Sequence, residues 1–397
     1  MVLPFHDRNR RLSFPLGGIL NKDLRFIFTS NFIGSFGDGL YAFLLPYYMK
    51  EQLGISPIQI GTLYAIAYLM AACTLLLGGF LADRYDRKKV MILGWLIWSP
   101  IPLIFSLAEN WIQILPGMIL WGFWLGGPTS AAYIATSADK GKLTLTFTAI
   151  SASWSLGYII SPALGGYISS IYSMKVVFYL AFIFYSLAGV VLLPLKSQYT
   201  ATLSRGRSDM KNFLKIFRTG RILKVSVLFS TVMLIIFMFR PFIPQFVADL
   251  YGFSGFEVGL LGSITFLGSA LLGLFAGRIG DLYGKTYAIS ISLMLYSASL
   301  ILLSLSYYFP VLVVAFFLGG SSYIFWSLMN AFIAPLAPNQ IMARWISIPQ
   351  AVALLSSFLA PYLGGYLYEL SPYNPVILSV ISASILAVLI LKGIFSE

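Results

Sequence analysis

The sequence predicts an all-α polytopic membrane protein, with twelve transmembrane helices in two pseudo-symmetric six-helix bundles. Of the 397 residues, 58% are hydrophobic and 10% are charged, whereas a typical soluble domain carries roughly 25% charged residues. Apolar runs of about 20 residues, each long enough to cross a hydrocarbon core of ~30 Å as a helix, recur along the chain. The sequences of the two halves also repeat each other.

The apolar runs define the predicted spans, and a polar segment separates the sixth from the seventh. Prolines inside several spans are compatible with a packed bundle, because neighbouring helices satisfy the backbone groups that a proline frees. The spans are residues 25–49, 58–82, 88–107, 111–136, 143–170, 174–195, 224–248, 256–280, 285–308, 310–336, 342–368 and 374–393. The predicted parts are an N-terminal tail (1–24), a first bundle (25–195), a basic linker (196–223), a second bundle (224–393) and a C-terminal tail (394–397).

The N-terminal tail is basic and broken by prolines, so we expect no cleavable signal and a first apolar run that stays in the membrane. His6 is the only histidine of the sequence and Cys73 the only cysteine. These counts exclude a histidine-based metal cluster or catalytic triad and a disulfide within the chain. We therefore expect no cofactor and no metal.

The basic residues predict the orientation. With the N-terminus inside, the outside loops hold only Lys50 and Lys175, and the inside segments hold almost all other lysines and arginines. The positive-inside rule then places both termini in the cytoplasm, in a multi-pass protein of the cell membrane. The net charge of +12 is explained by loops that face anionic lipid, and no nucleic-acid partner is expected.

The long polar stretch at residues 196–224 carries eight basic residues against one acid, Asp209. We interpret it as a solvated loop with a short amphipathic helix on anionic lipid. A binding site for a regulatory partner is the alternative.

The halves repeat at an offset of 198 residues. LPYYMKEQLGISPIQIG (45–61) aligns with IPQFVADLYGFSGFEVG (243–259), and SPALGGYI (161–168) matches APYLGGYL (360–367) at an offset of 199. Parallel repeats of six helices form two bundles around a pseudo-two-fold axis along the membrane normal. A solute cavity between the bundles can open to alternate sides when they rock.

The loop after span 2 reads GGFLADRYDRKKV (78–90). It closely resembles the signature between helices 2 and 3 of the major facilitator superfamily, Gly-x-Leu-Ala-Asp-Arg-x-Gly-Arg-Lys, with Asp86 where the family usually has glycine. A degenerate copy, GRIGDLYGK, occupies 277–285. The matching residues, which we call the cytoplasmic gate motif, are Gly79, Asp83, Arg84, Arg87, Lys88, Gly277, Asp281, Gly284 and Lys285.

Lysines and arginines of cytoplasmic loops set the orientation in the membrane, but an acid such as Asp83 does not contribute to it. It can cap a neighbouring helix N-terminus or pair with a basic residue. We expect such contacts to hold the cytoplasmic side closed in one state and to break in the other. For the basic residues of the motif, setting the topology is the simpler interpretation.

Span 5 contains GYIISPALGG (157–166), which resembles the Gly-x-x-x-Gly-Pro-x-x-Gly-Gly motif of the family's exporters and antiporters, with Ser161 replacing one glycine. The alternative is ordinary helix packing through small residues. Span 4 lacks the arginine that many proton-coupled members carry in helix 4. The packing motif of spans 5 and 11 comprises Gly157, Pro162, Gly165, Gly166, Pro361, Gly364 and Gly365.

Two charged residues lie within spans, Asp38 in span 1 and Arg240 in span 7. An ionised group near a helix centre costs about 2.5 to 3.5 kcal/mol on insertion scales, so such groups usually face a cavity or a partner. The repeat places Arg240 opposite Ala42, one helical turn from Asp38, so we expect the two charges to meet across the cavity. Asp38 then binds a proton or a cationic solute group in competition with Arg240; a structural ion pair and a snorkelling Arg240 are the alternatives. The other polar or amphipathic candidates are Asn31, Tyr41, Trp121, Trp124, Gln245, Trp326, Asn330 and Gln350.

The resemblance implies a monomeric secondary transporter of the drug and metabolite exporter branch, which moves a small solute by alternating access. We predict a proton-coupled exporter (antiporter) of amphipathic compounds. An importer or facilitator of sugars or organic anions is the alternative, and a non-transporting receptor or scaffold is an alternative of another class. The sequence has no Gly-x-x-x-x-Gly-Lys-Ser/Thr loop and no Gly-x-Ser-x-Gly elbow, which argues against a primary pump and against an enzyme.

Overall fold

The computed structural model describes residues 20–139, 143–199, 220–333 and 342–393, and every regular element in these ranges is helical. The predicted tails up to residue 19 and from residue 394, and the linker from 200 to 219, lie outside the described residues.

The first half contains the helices that correspond to predicted spans 1 to 6. They are α1 (Lys22–Tyr41), α2 (Leu45–Glu51), α3 (Pro57–Arg84), α4 (Arg87–Trp98), α5 (Pro100–Leu107), α6 (Trp111–Trp121), α7 (Gly126–Ser137), α8 (Leu143–Ile171) and α9 (Met174–Val191).

The second half contains the helices that correspond to predicted spans 7 to 12, with 3₁₀ turns at Arg240–Phe242 and Gly320–Tyr323. The helices are α10 (Gly220–Phe239), α11 (Ile243–Tyr251), α12 (Gly255–Tyr283), α13 (Lys285–Leu305), α14 (Phe309–Gly319), α15 (Phe325–Ile333), α16 (Met342–Ser357), α17 (Ala360–Leu370) and α18 (Tyr373–Leu391).

Nine helical segments of the described residues are long and apolar enough to cross a membrane. They correspond to nine of the predicted spans. Helices also occupy the ranges of spans 1, 4 and 5, but α1 and α8 are rich in polar residues, and four non-helical residues separate α6 from α7. The count of twelve remains a prediction.

Several predicted spans consist of two helices rather than one. Pro46, Pro100, Pro244 and Pro361 each lie in the first turn of the second helix of such a span. Proline is favoured at this position and has no backbone N–H with which to continue the preceding helix. The prolines therefore place the breaks.

The break in the fourth predicted span recurs at the repeat offset in the tenth. It begins at Gly122 in the first half and at Gly320 in the second. A Cβ on Gly122 would overlap the carbonyl of Ala67, and a Cβ on Gly320 would overlap the carbonyl of Thr265. The first break thus packs on α3 and the second on α12, the repeat equivalent of α3, through one repeated backbone contact.

The two halves meet through α8 against α12 and through α3 against α16 and α17. A Cβ on Gly259 would overlap the carbonyl of Pro162, and a Cβ on Gly61 would overlap the carbonyl of Pro361. These are two copies of one contact. They lie at the end of the molecule that carries the positive-φ turns at Gly54 and Gly252, which we call the Gly54 end; this end is closed.

The opposite end carries the loops at Tyr85 and Gly284, and we call it the Gly284 end. Ser151 and Ser155, which share the inter-half face of α8 with Pro162, are exposed there. A Cβ added to Gly79 or Gly277 would meet no atom within 4 Å. Among the residues that the structure describes, the interface between the halves is therefore open at this end.

Candidate functional site

Asp38 lies on α1 between two glycines that allow its neighbours to approach closely. A Cβ on Gly37 would contact the side chain of Phe184, and a Cβ on Gly39 would overlap the hydroxyl of Ser161. The glycines thus bring the backbone of α1 against α8 and α9 at the level of the carboxylate.

The Asp38 side chain is 3% exposed. The Tyr158 hydroxyl donates to Oδ2 and the Tyr185 hydroxyl donates to Oδ1. The hydroxyl of Tyr41 lies 2.9 Å from that of Tyr185, and Trp121 lies beside the carboxylate. Among the described residues, no lysine or arginine nitrogen lies within 4.0 Å of Asp38. A buried ionised carboxylate without a cation is costly, so the site favours a proton or a cationic group.

Arg240 begins the 3₁₀ turn between α10 and α11 and is partly buried. Its guanidinium donates to the Tyr68 hydroxyl at 3.4 Å. It also lies over the rings of Phe237 and Tyr323, at 4.8 and 4.7 Å from their centroids, in the range of cation–π contacts. No carboxylate oxygen of the described residues lies within 4.0 Å of it.

The expected meeting of Asp38 and Arg240 is therefore not formed in this structure. Rings of both halves lie between the two charges: the Tyr158 ring packs at a tilt against Phe266 with centroids 4.5 Å apart, and Phe266 packs at a tilt against Tyr323 with centroids 4.8 Å apart. We call Tyr158, Phe266 and Tyr323 the aromatic row. The repeat relates Arg240 to a position in the other bundle, and positions related by a two-fold axis face each other across that axis without having to touch.

A second set of rings lies on the side of the first half. Trp121 packs edge-on against Tyr64 at 5.9 Å, and Tyr64 against Tyr68 at 6.1 Å. Tyr64 lies within electrostatic range of both Asp38 and Arg240. Aromatic rings thus lie near both charges on the side of the first half as well.

A cavity of about 20 Å³ adjoins Arg240, with room for about one water molecule. Most of its wall comes from the second half. It is lined by Phe43, Arg240, Ile243, Thr265, Ser299, Leu303, Phe316, Gly319, Ser322 and Tyr323.

Four other predicted candidates have contacts or positions of a different kind. The Gln350 amide donates to Asn330 at 2.8 Å and joins α15 to α16. Gln245 is buried and donates to Asp249 at 3.3 Å. Trp124 lies in the break after α6 and is 48% exposed.

Two more candidates lie on α1 and α15. Asn31 lies on α1, two turns before Asp38, and is partly buried. Trp326 lies on α15 and packs against the main hydrophobic core.

Arg87 is the most highly connected described residue of the cytoplasmic gate motif and is 8% exposed. It donates to the carbonyls of Ala82 and Ala132 at 3.3 and 3.0 Å, to the Thr136 hydroxyl at 2.8 Å and to the Gln198 amide oxygen at 2.7 Å. All of these partners lie in the first half or directly after it. The Gln198 contact had no sequence signal, because 196–199 belong to a segment predicted to be a solvated loop.

The two copies of the motif build the same corner differently. Asp86 has φ −59 and caps α4 by accepting from the Lys88 backbone N–H. Gly284, at the repeat-equivalent position, has φ +102. A side-chain cap thus replaces the positive-φ glycine in the first copy, which explains the departure at Asp86.

The remaining motif residues make local contacts. The Lys285 ammonium donates to the Ala331 carbonyl at 2.5 Å. Arg84 is exposed and lies 5.8 Å from the Phe80 ring centroid, and Asp281 is exposed. The side chain of Asp83 lies outside the described residues.

The packing motif brings α8 against α1 and α17 against α10. A Cβ on Gly157 would overlap the Ser35 side chain, and a Cβ on Gly165 would overlap the Leu40 carbonyl. In the second half, a Cβ on Gly364 would overlap the carbonyl of Met238, the repeat equivalent of Leu40.

The last glycine of each copy of the packing motif contacts the other half. Gly166 packs on the Gly255 carbonyl and Gly365 on the Pro57 carbonyl. Because Pro57 and Gly255 are repeat equivalents, the Gly54 end is closed by two pairs of mirrored backbone contacts.

An ionic contact across the halves also lies at the Gly54 end and had no sequence signal. Lys50 pairs with Asp249 at 2.6 Å, and the Tyr368 hydroxyl donates to Asp249 at 2.9 Å. Glu369 accepts from the backbone N–H of Ile58 at 3.1 Å, at the N-terminus of α3. A carboxylate is favourable at that position.

Comparison with known proteins gives concordant results. A family model described as Major Facilitator Superfamily matches residues 27–246 and 225–396. The multidrug resistance protein MdtG of Serratia proteamaculans is 26% identical over 338 residues, which cover 81% of this chain and 80% of that protein. MdtG of Proteus mirabilis is 24% identical over 367 residues, which cover 89% and 90%.

Solved transporters share the fold. A mutant of the nucleoside transporter NupG superposes with a TM-score of 0.78 at 14% identity, covering 94% of this chain and 100% of that one. A POT family transporter in complex with 5-aminolevulinic acid gives a TM-score of 0.74 at 17% identity and 96% of both chains. A bacterial homologue of the lysosomal transporter Spinster, inward-facing and occupied, gives 0.66 at 15% identity, with 93% and 95% covered.

Proposed function

This chain belongs to the major facilitator superfamily, and we propose that it is a proton-coupled exporter of amphipathic solutes. It is a multi-pass membrane protein and a secondary transporter of small molecules. The proposal concerns the direction of transport, the coupling ion and the residues involved.

The buried carboxylate of Asp38 carries the proposal. Hydroxyls of α8 and α9 hold it, and among the described residues no cation neutralises it. A proton can neutralise the carboxylate, and so can a cationic group of a solute, but they cannot do so at the same time. This competition is the requirement for exchanging one against the other. Proton coupling through Asp38 then does not require the arginine that many proton-coupled members of the family carry in helix 4.

The direction rests on several independent features. The predicted orientation makes the Gly54 end the outer end, so the structure is open towards the cytoplasm, where an exporter takes up its cargo. The packing motif resembles that of exporters, and its glycines contribute to the closed outer end. The sequence relatives are multidrug resistance proteins, and the aromatic walls suit amphipathic solutes. We propose a monomer with both termini in the cytoplasm.

The test is solute flux in proteoliposomes under an imposed pH gradient. A panel of amphipathic cations, sugars and organic acids is offered to wild type, to Asp38→Asn and to Glu109→Gln, which alters an exposed carboxylate. We expect gradient-driven flux of an amphipathic solute, its loss in Asp38→Asn and no change in Glu109→Gln. Flux that ignores both the gradient and the Asp38 variant would show a facilitator.

A further inference from the structure

We propose that the preferred solutes are zwitterions with a flat apolar body, whose cationic group binds Asp38 and whose anionic group binds Arg240. The inference rests on the proposed role of Asp38 and adds a second charged subsite to it. It fixes the substrate class by the arrangement of two opposite charges rather than by hydrophobicity.

The Arg240 guanidinium has hydrogen-bond donors, but no anionic acceptor of the described residues pairs with it. The guanidinium contacts the Tyr68 hydroxyl and two ring faces, and no described carboxylate lies within 4.0 Å. Ring faces and a hydroxyl replace part of the hydration of a cation but leave its charge unbalanced. The adjoining cavity gives a group of the size of one oxygen access to it.

A second donor points to the same ligand chemistry. The Tyr296 side chain is 0% exposed, and its hydroxyl has no hydrogen-bond partner among the described residues. It lies within electrostatic range of Arg240 and one turn before Ser299, which lines the cavity. Buried hydroxyls are normally paired, because leaving one unpaired costs free energy. A carboxylate, sulfonate or phosphonate at Arg240 would supply the missing acceptor.

The aromatic row determines what lies between the charged groups. Tyr158 holds Asp38, and Tyr323 lies under Arg240, with Phe266 between them. The ring contacts of 4.5 and 4.8 Å give the row a length of at most about 9 Å between the ring centroids of Tyr158 and Tyr323, and the two charged groups contact these end rings. A row of this length offers aromatic contact to a rigid body of two rings with a charge at each end.

The zwitterion also satisfies the exchange mechanism. It balances both charges at once, and only its cationic end competes with the proton at Asp38. A solute with an anion alone would leave Asp38 unneutralised, and a solute with a cation alone would leave Arg240 as it is in the empty site. We therefore expect the zwitterion to bind most tightly.

The test uses three matched biphenyls and full-length protein in lipid nanodiscs. The probes are an aminomethyl-biphenyl-carboxylate (zwitterion), its primary amide (cation) and the methyl-biphenyl-carboxylate (anion). Binding is measured by equilibrium dialysis for wild type, Arg240→Gln, Arg240→Lys and Tyr296→Phe. Tyr296→Phe removes an unpaired hydroxyl, so the fold should tolerate it.

We expect wild type to bind the zwitterion at least tenfold more tightly than the amide. Arg240→Gln should bring this ratio close to one without weakening the amide, Arg240→Lys should keep part of it, and Tyr296→Phe should lower it a few-fold. Equal binding of zwitterion and amide to wild type overturns the inference, and so does a ratio that survives Arg240→Gln. The binding test and the flux test fail separately. If binding contradicts the inference but Asp38→Asn still abolishes proton-driven flux, the proposed function stands. If proton-driven flux does not depend on Asp38, the proposed function is wrong.

Discussion

Substituting Gly259 by alanine should open the Gly54 end. The Cβ would overlap the Pro162 carbonyl, and a backbone atom cannot rotate out of the way as a side chain can. The contact exists only while α8 and α12 are packed together at this end. The substitution therefore penalises the closed state and leaves the open state unaffected.

The size of the effect follows from the overlap. Inserting a methyl group into a packed interface typically costs about 1–3 kcal/mol. Since the cost falls on one of two states, the ratio of open to closed molecules should rise roughly 5- to 150-fold. The repeat predicts the same for Gly61→Ala, which meets the Pro361 carbonyl.

The assay measures how readily a thiol below the contact is reached from outside. In a Cys73→Ala background, Thr265→Cys places a thiol beside the cavity, and a membrane-impermeant maleimide is added to intact cells. Gly259→Ala should accelerate labelling. Gly273→Ala is the matched control, because on the same helix its Cβ would make an ordinary contact of 3.9 Å with Ile324. Equal labelling rates in Gly259→Ala and Gly273→Ala, with all variants folded and inserted, would refute the reasoning.

Two further predictions concern the two ends. Lys50→Gln removes a partly exposed ion pair across the halves, which is worth roughly 0.2–1 kcal/mol, so the labelling rate of the same thiol should rise by a few-fold at most. The charge swap Lys50→Asp with Asp249→Lys should restore the wild-type labelling rate. A labelling rate that stays raised in the swap would exclude the ion pair as the cause. Gly284→Ala forces alanine into φ +102 and ψ +152, a region that costs about 1–3 kcal/mol for residues other than glycine. It should lower the free energy of unfolding in detergent by that amount, and a loss no larger than that of Gly273→Ala would show that the corner relaxes.

The contacts between the halves could be predicted because they depend on glycines and prolines that the repeat aligns. Gly61, Gly259, Pro162 and Pro361 were aligned by the repeat, and the structure places them in two copies of one contact. Only glycine lets backbones approach this closely. A constraint on one residue type, repeated at one offset, is visible in a single sequence.

The surroundings of Asp38 could not be predicted in the same way. A carboxylate within an apolar span is rare, so the residue itself stands out. Its partners Tyr158 and Tyr185 come from two other helices and are two of 24 tyrosines. Neither spacing nor periodicity selects them, because their role depends on how α1, α8 and α9 pack.

The repeat was informative about packing but misleading about Arg240. An alignment offset gives the place of a residue within its own bundle. It does not give the distance across the axis, which the intervening rings decide. Asp38 accepts hydrogen bonds from tyrosine hydroxyls, and Arg240 contacts a tyrosine hydroxyl and aromatic rings. An alignment of the two halves does not predict these contacts.

The chemistry at Asp38 and the closure of the Gly54 end are connected by α8. Tyr158, which holds the carboxylate, and Pro162, whose carbonyl packs on Gly259, are four residues apart and thus one turn apart on the same helix. Gly157 and Gly165 fix this helix to α1 on both sides of that turn, so α1 and the α8 segment move as one body. A change of occupancy at Asp38 that shifts Tyr158 must therefore also shift the contact that closes the Gly54 end. Tyr158 and Pro162 lie one turn apart on the same helix, so under the proposed function no longer pathway is needed to couple a proton at Asp38 to the conformational change.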